Sequence, residues 1–348
     1  MASVGVVGAG TVGLSVAWAL ARSGCDVTVF DPEPGSGASW VAGGMLAPYS
    51  EAWPGEQALL DLGIESLRLW PGFAGELAGY ADGELFTARG TVWLAADGGD
   101  AQELATMVGA ASGGLSSVAV PEAMAAVPGA GQRVRAAATA PDELAVDNRA
   151  VYRALTAACA AAGVRVVCSR VESLRDVPGD HVILCAGADS GALAPELGVR
   201  PVKGEVVRLR AGHLCLPPPT VTVRAKINGR AVYVVPRSDG VVVGATQYEH
   251  DHDRSPLVGP VIDLLQDAFT VLPFLREYEL AEVSAGLRPG TDANVPVIDR
   301  IGGRVIAATG HGRNGILLAP VTAARVCEMV TGSGAPVADS GAKETAWS

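Results

Sequence analysis

The first thirty residues alternate two short apolar runs, "SVGVVGAG" and "CDVTVFDPEP", with the intervening "TVGLSVAWALARSG". The middle piece places Val12, Val16, Ala19 and Leu20 on one face at helical spacing, which predicts a helix. Strand, helix, strand is a βαβ unit, and its second strand is expected to end at Asp31-Pro32. A glycine-rich connector, "PGSGASWVAGGMLAP", follows. From about 145 to 168, "NRAVYRALTAACAAAG" reads as a helix feeding the strand "VRVVCS", and "HVILCAGADSG" as a short buried strand near 181–191. Between about 203 and 280 the pattern changes to period-two alternation in "EVVRLR", "AVYVVPR" and "GVVVGAT", which predicts antiparallel strands. A helix-like "VIDLLQDAFTVL" leads into "AGLRPGTDANVPVIDR" and "RVIAATGHGRNGILLAP". The two characters interleave, so two domains are expected. One is α/β, from 1–75, 142–202 and 281–331; the other is an antiparallel sheet, from 76–141 and 203–280. The small, polar stretch 332–348 is expected to be a flexible tail. No internal repeat is visible.

Composition narrows the class. The 348 residues are 49% apolar and 18% charged, the profile of a filled globular core. Lys and Arg number 26 against 37 Asp and Glu, a net charge of −11, so nucleic acid and anionic membrane are not expected as partners. No run approaches the ~18 uninterrupted apolar residues of a membrane span; the mean hydropathy of +0.29 reflects Ala and Val. Six scattered cysteines without a CxxC pair suit a reducing compartment, and "VGVVGAG" begins too early for a signal peptide. A cytoplasmic protein is expected.

"GAGTVG" places Gly8, Gly10 and Gly13 in a G-x-G-x-x-G between a strand and a helix. The first glycine allows the tight turn, the second admits a pyrophosphate, and the third lets helix pack on strand. The helix N-terminus then offers unpaired N–H groups to phosphate. Asp31, at the end of the next strand, is placed to accept hydrogen bonds from a ribose diol and would repel a 2′-phosphate. The motif alone admits both FAD and NAD.

Five further motifs occur in order: "SWVAGGMLAP" (39–48), "PVKGE" (201–205), "YVVPR…VVVGAT", "AGLRPGT" and "GHGRNGILLAP" (310–320). Together they make the chain resemble the glycine oxidase family of thiamine biosynthesis, within the D-amino-acid oxidase and sarcosine oxidase group of flavoproteins. The resemblance covers Val4 to about Met329. It implies an FAD-binding Rossmann-like domain with an interleaved antiparallel-sheet substrate domain. It also implies FAD contacts at Thr11, Val12, Asp31, Ala38, Ser39, Gly43, Gly44, Met45, Val171 and Gly187. The segment His311, Gly312, Arg313, Asn314, Gly315, Ile316 and Leu317 would lie beside the flavin, with a glycine-rich turn opening the helix "ILLAPVTAARVCEMV". No cysteine stands in that segment, so non-covalent FAD is expected.

The resemblance assigns Arg288 of "AGLRPGT" to the substrate carboxylate, which a guanidinium fork matches in a bidentate way. The bland alternative pairs Arg288 with an acid such as Asp299. Tyr233 of "YVVPR" would donate its hydroxyl to the same carboxylate, the alternative being a tyrosine packed in the core. Arg313 would lie near the substrate, or cap a surface. Ala231 stands where a histidine can occur in the family, and Gln247 where Met or Glu occurs; both are expected beside the substrate, in a wider or differently polar pocket. The implied reaction takes glycine or an N-substituted glycine to an imine by hydride transfer to flavin, with O2 as oxidant and hydrogen peroxide, glyoxylate and ammonia or an amine as products. The departures at Ala231 and Gln247 raise an alternative, an oxidase specialised for a bulky N-carboxymethyl amino acid. A carrier-coupled dehydrogenase and a non-catalytic flavin-binding module are the other readings. A homo-oligomer is expected from the family. "EHDHD" (249–253) lacks partner ligands at metal spacing and reads as a solvated turn, so no metal is expected. Lys203 reads either as a base or as a residue ordering a loop.

Overall fold

The computed structural model describes residues 1–131, 133–227, 229–249 and 252–332. Two sheets organise it. The first has six strands in the order Val297–Gly302, Val305–Thr309, His181–Leu184, Ser3–Val7, Asp26–Phe30 and Arg165–Val167. All neighbours run parallel except the hairpin of the first two. The βαβ unit is present, with Ser3–Val7 and Asp26–Phe30 joined through the helix Thr11–Arg22.

The expected helix is buried on more than the face that carries Val12, Val16, Ala19 and Leu20. Val16 and Leu20 are buried, but so are Leu14, Ala17 and Trp18, while Val12 and Ala19 are half-buried. It packs on the sheet and also on the helices Asn148–Ala161 and Ala319–Thr331, so little of its circumference stays wet. Val12 instead faces the main cavity. The expected helix and strand after residue 145 appear as Asn148–Ala161 and Arg165–Val167. The Asp147 carboxylate accepts from the Arg149 and Ala150 amides at 2.8 and 3.1 Å, a cap of about 1 kcal/mol.

The second sheet has ten strands. Its path runs Tyr248–Glu249, Arg200–Arg210, Gly240–Gly244, Arg230–Arg237, Thr222–Ile227, Phe86–Ala95, Ala136–Val146 and Met45–Leu46. It is antiparallel as expected, except that Thr222–Ile227 and Phe86–Ala95 pair in parallel. The strand Glu279–Gly290, expected partly among the α/β pieces, instead pairs along Arg200–Arg210 from Glu279↔Arg210 to Gly290↔Arg200. Its small residues in "SAGLRPG" hide the period of two that would have marked it as a sheet strand.

The helix Val258–Val271 covers one face of this sheet, where Val207, Val223, Val232, Val234, Val241 and Val243 meet Leu264 and Ala268. Alternation along Arg230–Arg237 therefore fixes what the other face receives. Val232 and Val234 go under the helix, at roughly 1.5 kcal/mol or more each, and Tyr233 is turned the opposite way. Residues from both sheets line one cavity of about 1270 Å³ on that side. Its volume exceeds the roughly 300–1,000 Å³ of an ordinary small-molecule site, as a dinucleotide with a second ligand requires. Among the described residues no helix is long and apolar enough to cross a membrane. The expected flexible tail lies outside the described residues from position 333 onward.

Candidate active site

One end of the cavity is the glycine-rich turn. Gly8 has φ +108°, and a Cβ there would stand 2.3 Å from the Cys185 carbonyl oxygen. A Cβ on Gly13 would stand 2.0 Å from the Gly8 carbonyl oxygen, so Gly13 serves helix–strand packing and does not line the cavity. Gly10 caps the helix without a side chain, and the Ser39 hydroxyl accepts from the Thr11 amide at 2.9 Å in its place. The remaining first-turn amides have no helical carbonyl to meet. The Thr11 hydroxyl is buried with no partner among the described residues. Thr11 itself does not line the cavity, so the donors a phosphate would meet are the first-turn amides beside Gly10 and Val12.

Asp31 lines the cavity with its carboxylate partly engaged: one oxygen accepts from the Ala9 amide at 2.7 Å, the other from the Glu33 amide at 2.8 Å. Each oxygen keeps a further lone pair for a ribose hydroxyl. Gly8, Gly10, Val12, Ala38, Ser39, Met45, Val171 and Gly187 line the same space. Gly43 and Gly44 line it too, and sequence reasoning missed what fastens them. Gly44 has φ +82°, its carbonyl accepts from the Val146 amide at 2.8 Å, and the Gly43 carbonyl accepts from Arg237 Nη2 at 2.9 Å. Arg237, the arginine of "YVVPR", also reaches Asn148 Oδ1 at 3.1 Å; burial pulls its pKa down to about 10. The buried cation ties the connector to the sheet.

The "HGRNG" segment splits by role. His311, Gly312, Arg313, Asn314, Gly315 and Ile316 line the cavity, and Leu317 does not. The Leu317 side chain is buried in the core, and its carbonyl accepts from Ser66 Oγ at 2.6 Å and Trp70 Nε1 at 2.8 Å. The helix begins at Ala319 rather than with the isoleucine, because Gly312–Asn314 forms a 3-10 turn first. His311 Nε2 lies 2.9 Å from Thr322 Oγ1, and burial lowers the ring's pKa to about 4, so it is neutral at pH 7.

At the opposite end Arg288, Tyr233, Ala231 and Gln247 come together around the cavity. The Arg288 guanidinium lies over Gly204, where a Cβ would stand 2.3 Å from Nη1 and 2.5 Å from Nη2. Its Nη1 donates to the Thr246 carbonyl at 3.2 Å. No carboxylate pairs with it among the described residues, and Asp299 accepts from the Arg300 amide instead. The Tyr233 ring is held between Gly43 and Gly244, whose Cβ atoms would stand 2.7 and 2.1 Å from it. Burial raises the phenol's pKa, while the nearby Arg288 charge works against that rise, so the hydroxyl is a proton donor at neutral pH.

Arg313 is engaged otherwise. It donates to Glu51 at 2.9 Å through Nε and to Glu56 at 2.9 Å through Nη2. Glu51 also pairs with Arg224 at 3.1 Å, and Lys226 pairs with Glu103 while lying 5.5 Å from the Trp53 ring centre. Three of the four cations at this end therefore carry acidic partners, and Arg288 is the exception. Glu51, Trp53, Glu56, Arg224 and Lys226 were not foreseen. The trace of the first three in the sequence is "SEAWPGE", two acids and a tryptophan among small residues, while Arg224 and Lys226 stand in "TVRAKI".

Lys203 is fully buried and away from the cavity, with Nζ 2.9 Å from Asp253 Oδ2 and 2.6 Å from the Ser255 carbonyl. It orders a loop and is not a base for this site. Within "EHDHD", Glu249 pairs with Arg200, Asp253 with Lys203 and His252 with Asp189, while residues 250 and 251 lie outside the described residues. Among the described residues no group of acids, histidines and cysteines could hold a metal ion.

The described geometry has clear counterparts. The model of a family described as FAD dependent oxidoreductase matches residues 3–329. A Rhizobium etli protein assigned by name to thiamine biosynthesis, the oxidoreductase ThiO, is 34% identical over 95% of this chain and 97% of its own. A glycine oxidase of Pseudomonas aeruginosa is 32% identical over 94% of each chain. Among solved structures, glycine oxidase from Geobacillus kaustophilus superposes with a TM-score of 0.86 at 29% identity, covering 98% of both chains.

Proposed function

The chain belongs to the FAD-dependent oxidoreductase family, and from that premise we propose that it oxidises the carbon–nitrogen bond of glycine or an N-substituted glycine. One observation carries the substrate class: Arg288, a cation facing the cavity without a carboxylate partner among the described residues, beside the Tyr233 hydroxyl. A small carboxylate supplies the missing charge and meets the fork in the geometry a guanidinium prefers. We assign the residues 1–75, 142–202 and 281–331 to the cofactor domain and 76–141 and 203–280 to the substrate domain, with the Arg288 strand bridging them through its pairing with Arg200–Arg210.

The helix amides behind Gly10 and the Asp31 carboxylate would hold the pyrophosphate and ribose of FAD, and the Gly312–Ile316 turn its ring end. When bound, FAD supplies the two-electron acceptor that O2 regenerates with release of hydrogen peroxide. The protein's part is placement. Arg288 and Tyr233 fix the carboxylate, which removes the translational and rotational freedom of the α-carbon and amine relative to the cofactor. Glu51 is ion-paired to Arg224 and Arg313, Glu56 to Arg313, and His311 Nε2 lies against Thr322, so each of these groups has a protein partner. The substrate then reacts as its neutral amine. The overall balance is an N-substituted glycine plus O2 and water giving an amine, glyoxylate and hydrogen peroxide; ammonia replaces the amine when glycine reacts.

Cys185 is the cysteine that lines the cavity, and burial raises its thiol pKa to about 12, which removes the thiolate needed to attach a flavin. Non-covalent FAD follows, released into the supernatant by acid precipitation. The second substrate reading, a bulky N-carboxymethyl amine, is favoured by the small side chain of Ala231, which lines the cavity opposite Lys226 on the neighbouring strand. Peroxide release with glycine, sarcosine and a graded set of N-carboxymethyl amines separates the two. Highest kcat/KM on glycine supports the glycine oxidase reading, highest kcat/KM on a bulky amine supports the specialised one, and no peroxide from any would overturn both. The same proposal carries a homo-oligomeric cytoplasmic enzyme, tested by light scattering and fractionation.

A further inference from the structure

Behind the substrate end of the cavity, on the other face of the sheet, sits a carboxylate that no step above uses. Glu205 is fully buried, and among the described residues it forms no ion pair. Its Oε2 accepts from the Thr246 hydroxyl, and its Oε1 accepts from the Tyr248 hydroxyl and, at 3.4 Å, from the Leu257 amide. The Glu205 amide donates back to Thr246 Oγ1 at 2.7 Å. A hydroxyl has one proton and can accept as well as donate; Thr246 does both with the same residue, so its conformation is fixed. The Thr246 carbonyl is the group that accepts from Arg288 Nη1 at 3.2 Å.

Strand alternation explains why Glu205 is out of sight. Gly204 and Val206 face the cavity, and Glu205 points to the opposite side. The motif "PVKGE" thus works from both faces. Gly204 leaves the space in which the guanidinium lies, and Glu205 clamps the residue that holds it there. A desolvated carboxylate is costly to keep without a cation, and here its partners are the two hydroxyls and one amide that shape the Arg288 support. We propose that Glu205 is a positioning residue, acting through Thr246 to set the orientation of the Arg288 fork. This rests on the reading that Arg288 grips the substrate carboxylate.

The test is binding of glycolate, a carboxylate without an amine, to the FAD-loaded protein, followed by the change in flavin absorbance. Arg288→Ala should lose binding by a hundredfold or more, about what removing one member of a close charge pair costs. Glu205→Gln, which cannot accept from both hydroxyls through two oxygens, and Thr246→Val should each weaken binding about tenfold, the low end for outer partners of a ligand-holding group. Thr246→Ser, which keeps the hydroxyl, should bind as wild type does. In an Arg288→Lys background, Thr246→Val should add less than about twofold, because the fork it orients is gone. Wild-type affinity in Glu205→Gln and Thr246→Val, or full additivity in the Arg288→Lys background, would overturn the positioning role. Should Glu205→Gln fail to fold, Thr246→Val and Thr246→Ser decide alone. Unchanged affinity in Arg288→Ala would sink the anchor itself, and the inference with it.

Discussion

At Arg288 the local chemistry is unusually legible. The side chain carries five donors and a permanent charge, yet among the described residues its one hydrogen bond is to a neutral carbonyl. That leaves most of the fork for a ligand. Tyr233→Phe should raise KM for the preferred substrate about 10- to 100-fold with kcat changed far less, since a hydroxyl-to-carboxylate bond is made in ground and transition states alike. Arg288→Lys keeps the charge but loses the fork, and steady-state kinetics should show a larger rise in KM than Tyr233→Phe gives. His311 makes a separate prediction. Its folded-state pKa of about 4 lies below the ordinary 6.5, so between those values the unfolded chain binds the proton that the native protein refuses. Stability from this group is therefore complete above pH 6.5 and is lost as pH falls toward 4, by about 3 kcal/mol across the window. Urea melts at pH 7 and pH 5 should show a larger loss in wild type than in His311→Asn; equal losses would contradict it.

Elements turn these residues into a site, and here the two glycines Gly204 and Gly13 make a controlled comparison. A Cβ on Gly204 meets the far end of the Arg288 side chain, which can swing away; a Cβ on Gly13 meets the Gly8 backbone, which cannot. Gly204→Ala should therefore fold and hold FAD while losing substrate affinity about tenfold or more, because the fork is displaced. Gly13→Ala should lose FAD and melt earlier. Absorbance at the flavin band and thermal melts distinguish the two, and a Gly204→Ala protein with wild-type KM would refute the account of that motif. The elements also show what the sequence could and could not reveal. The βαβ unit and the helix after residue 147 were legible because their patterns are local. The pairing of the Arg288 strand with Arg200–Arg210 is not legible because "SAGLRPG" has too few large apolar residues to show a period. Thr11–Arg22 is legible as a helix, but its three-sided burial is not, because packing on helices distant in sequence leaves no spacing signal. Glu51, Arg224 and Lys226 were invisible because the 51–224 and 103–226 pairings are long-range and leave no spacing signal.

In the whole molecule the two sheets share one cavity, and the long strand pairing of Glu279–Gly290 with Arg200–Arg210 brings Arg288 and Gly204 together at its wall. Occupying the cavity should therefore stabilise the entire fold. FAD added to the apoprotein at a hundred times its Kd should contribute about 2.7 kcal/mol and raise Tm by several degrees. NAD at the same concentration should leave Tm unchanged, and a rise with NAD but not FAD would contradict the cofactor assignment. The central claim is that a substrate carboxylate completes Arg288. Its most direct test is kcat/KM for peroxide release on the best substrate by FAD-loaded wild type and Arg288→Ala at equal flavin content. We expect a fall of about a thousandfold in the variant. A variant that keeps its FAD and turns over as wild type does would show that Arg288 is structural and that the carboxylate is held elsewhere.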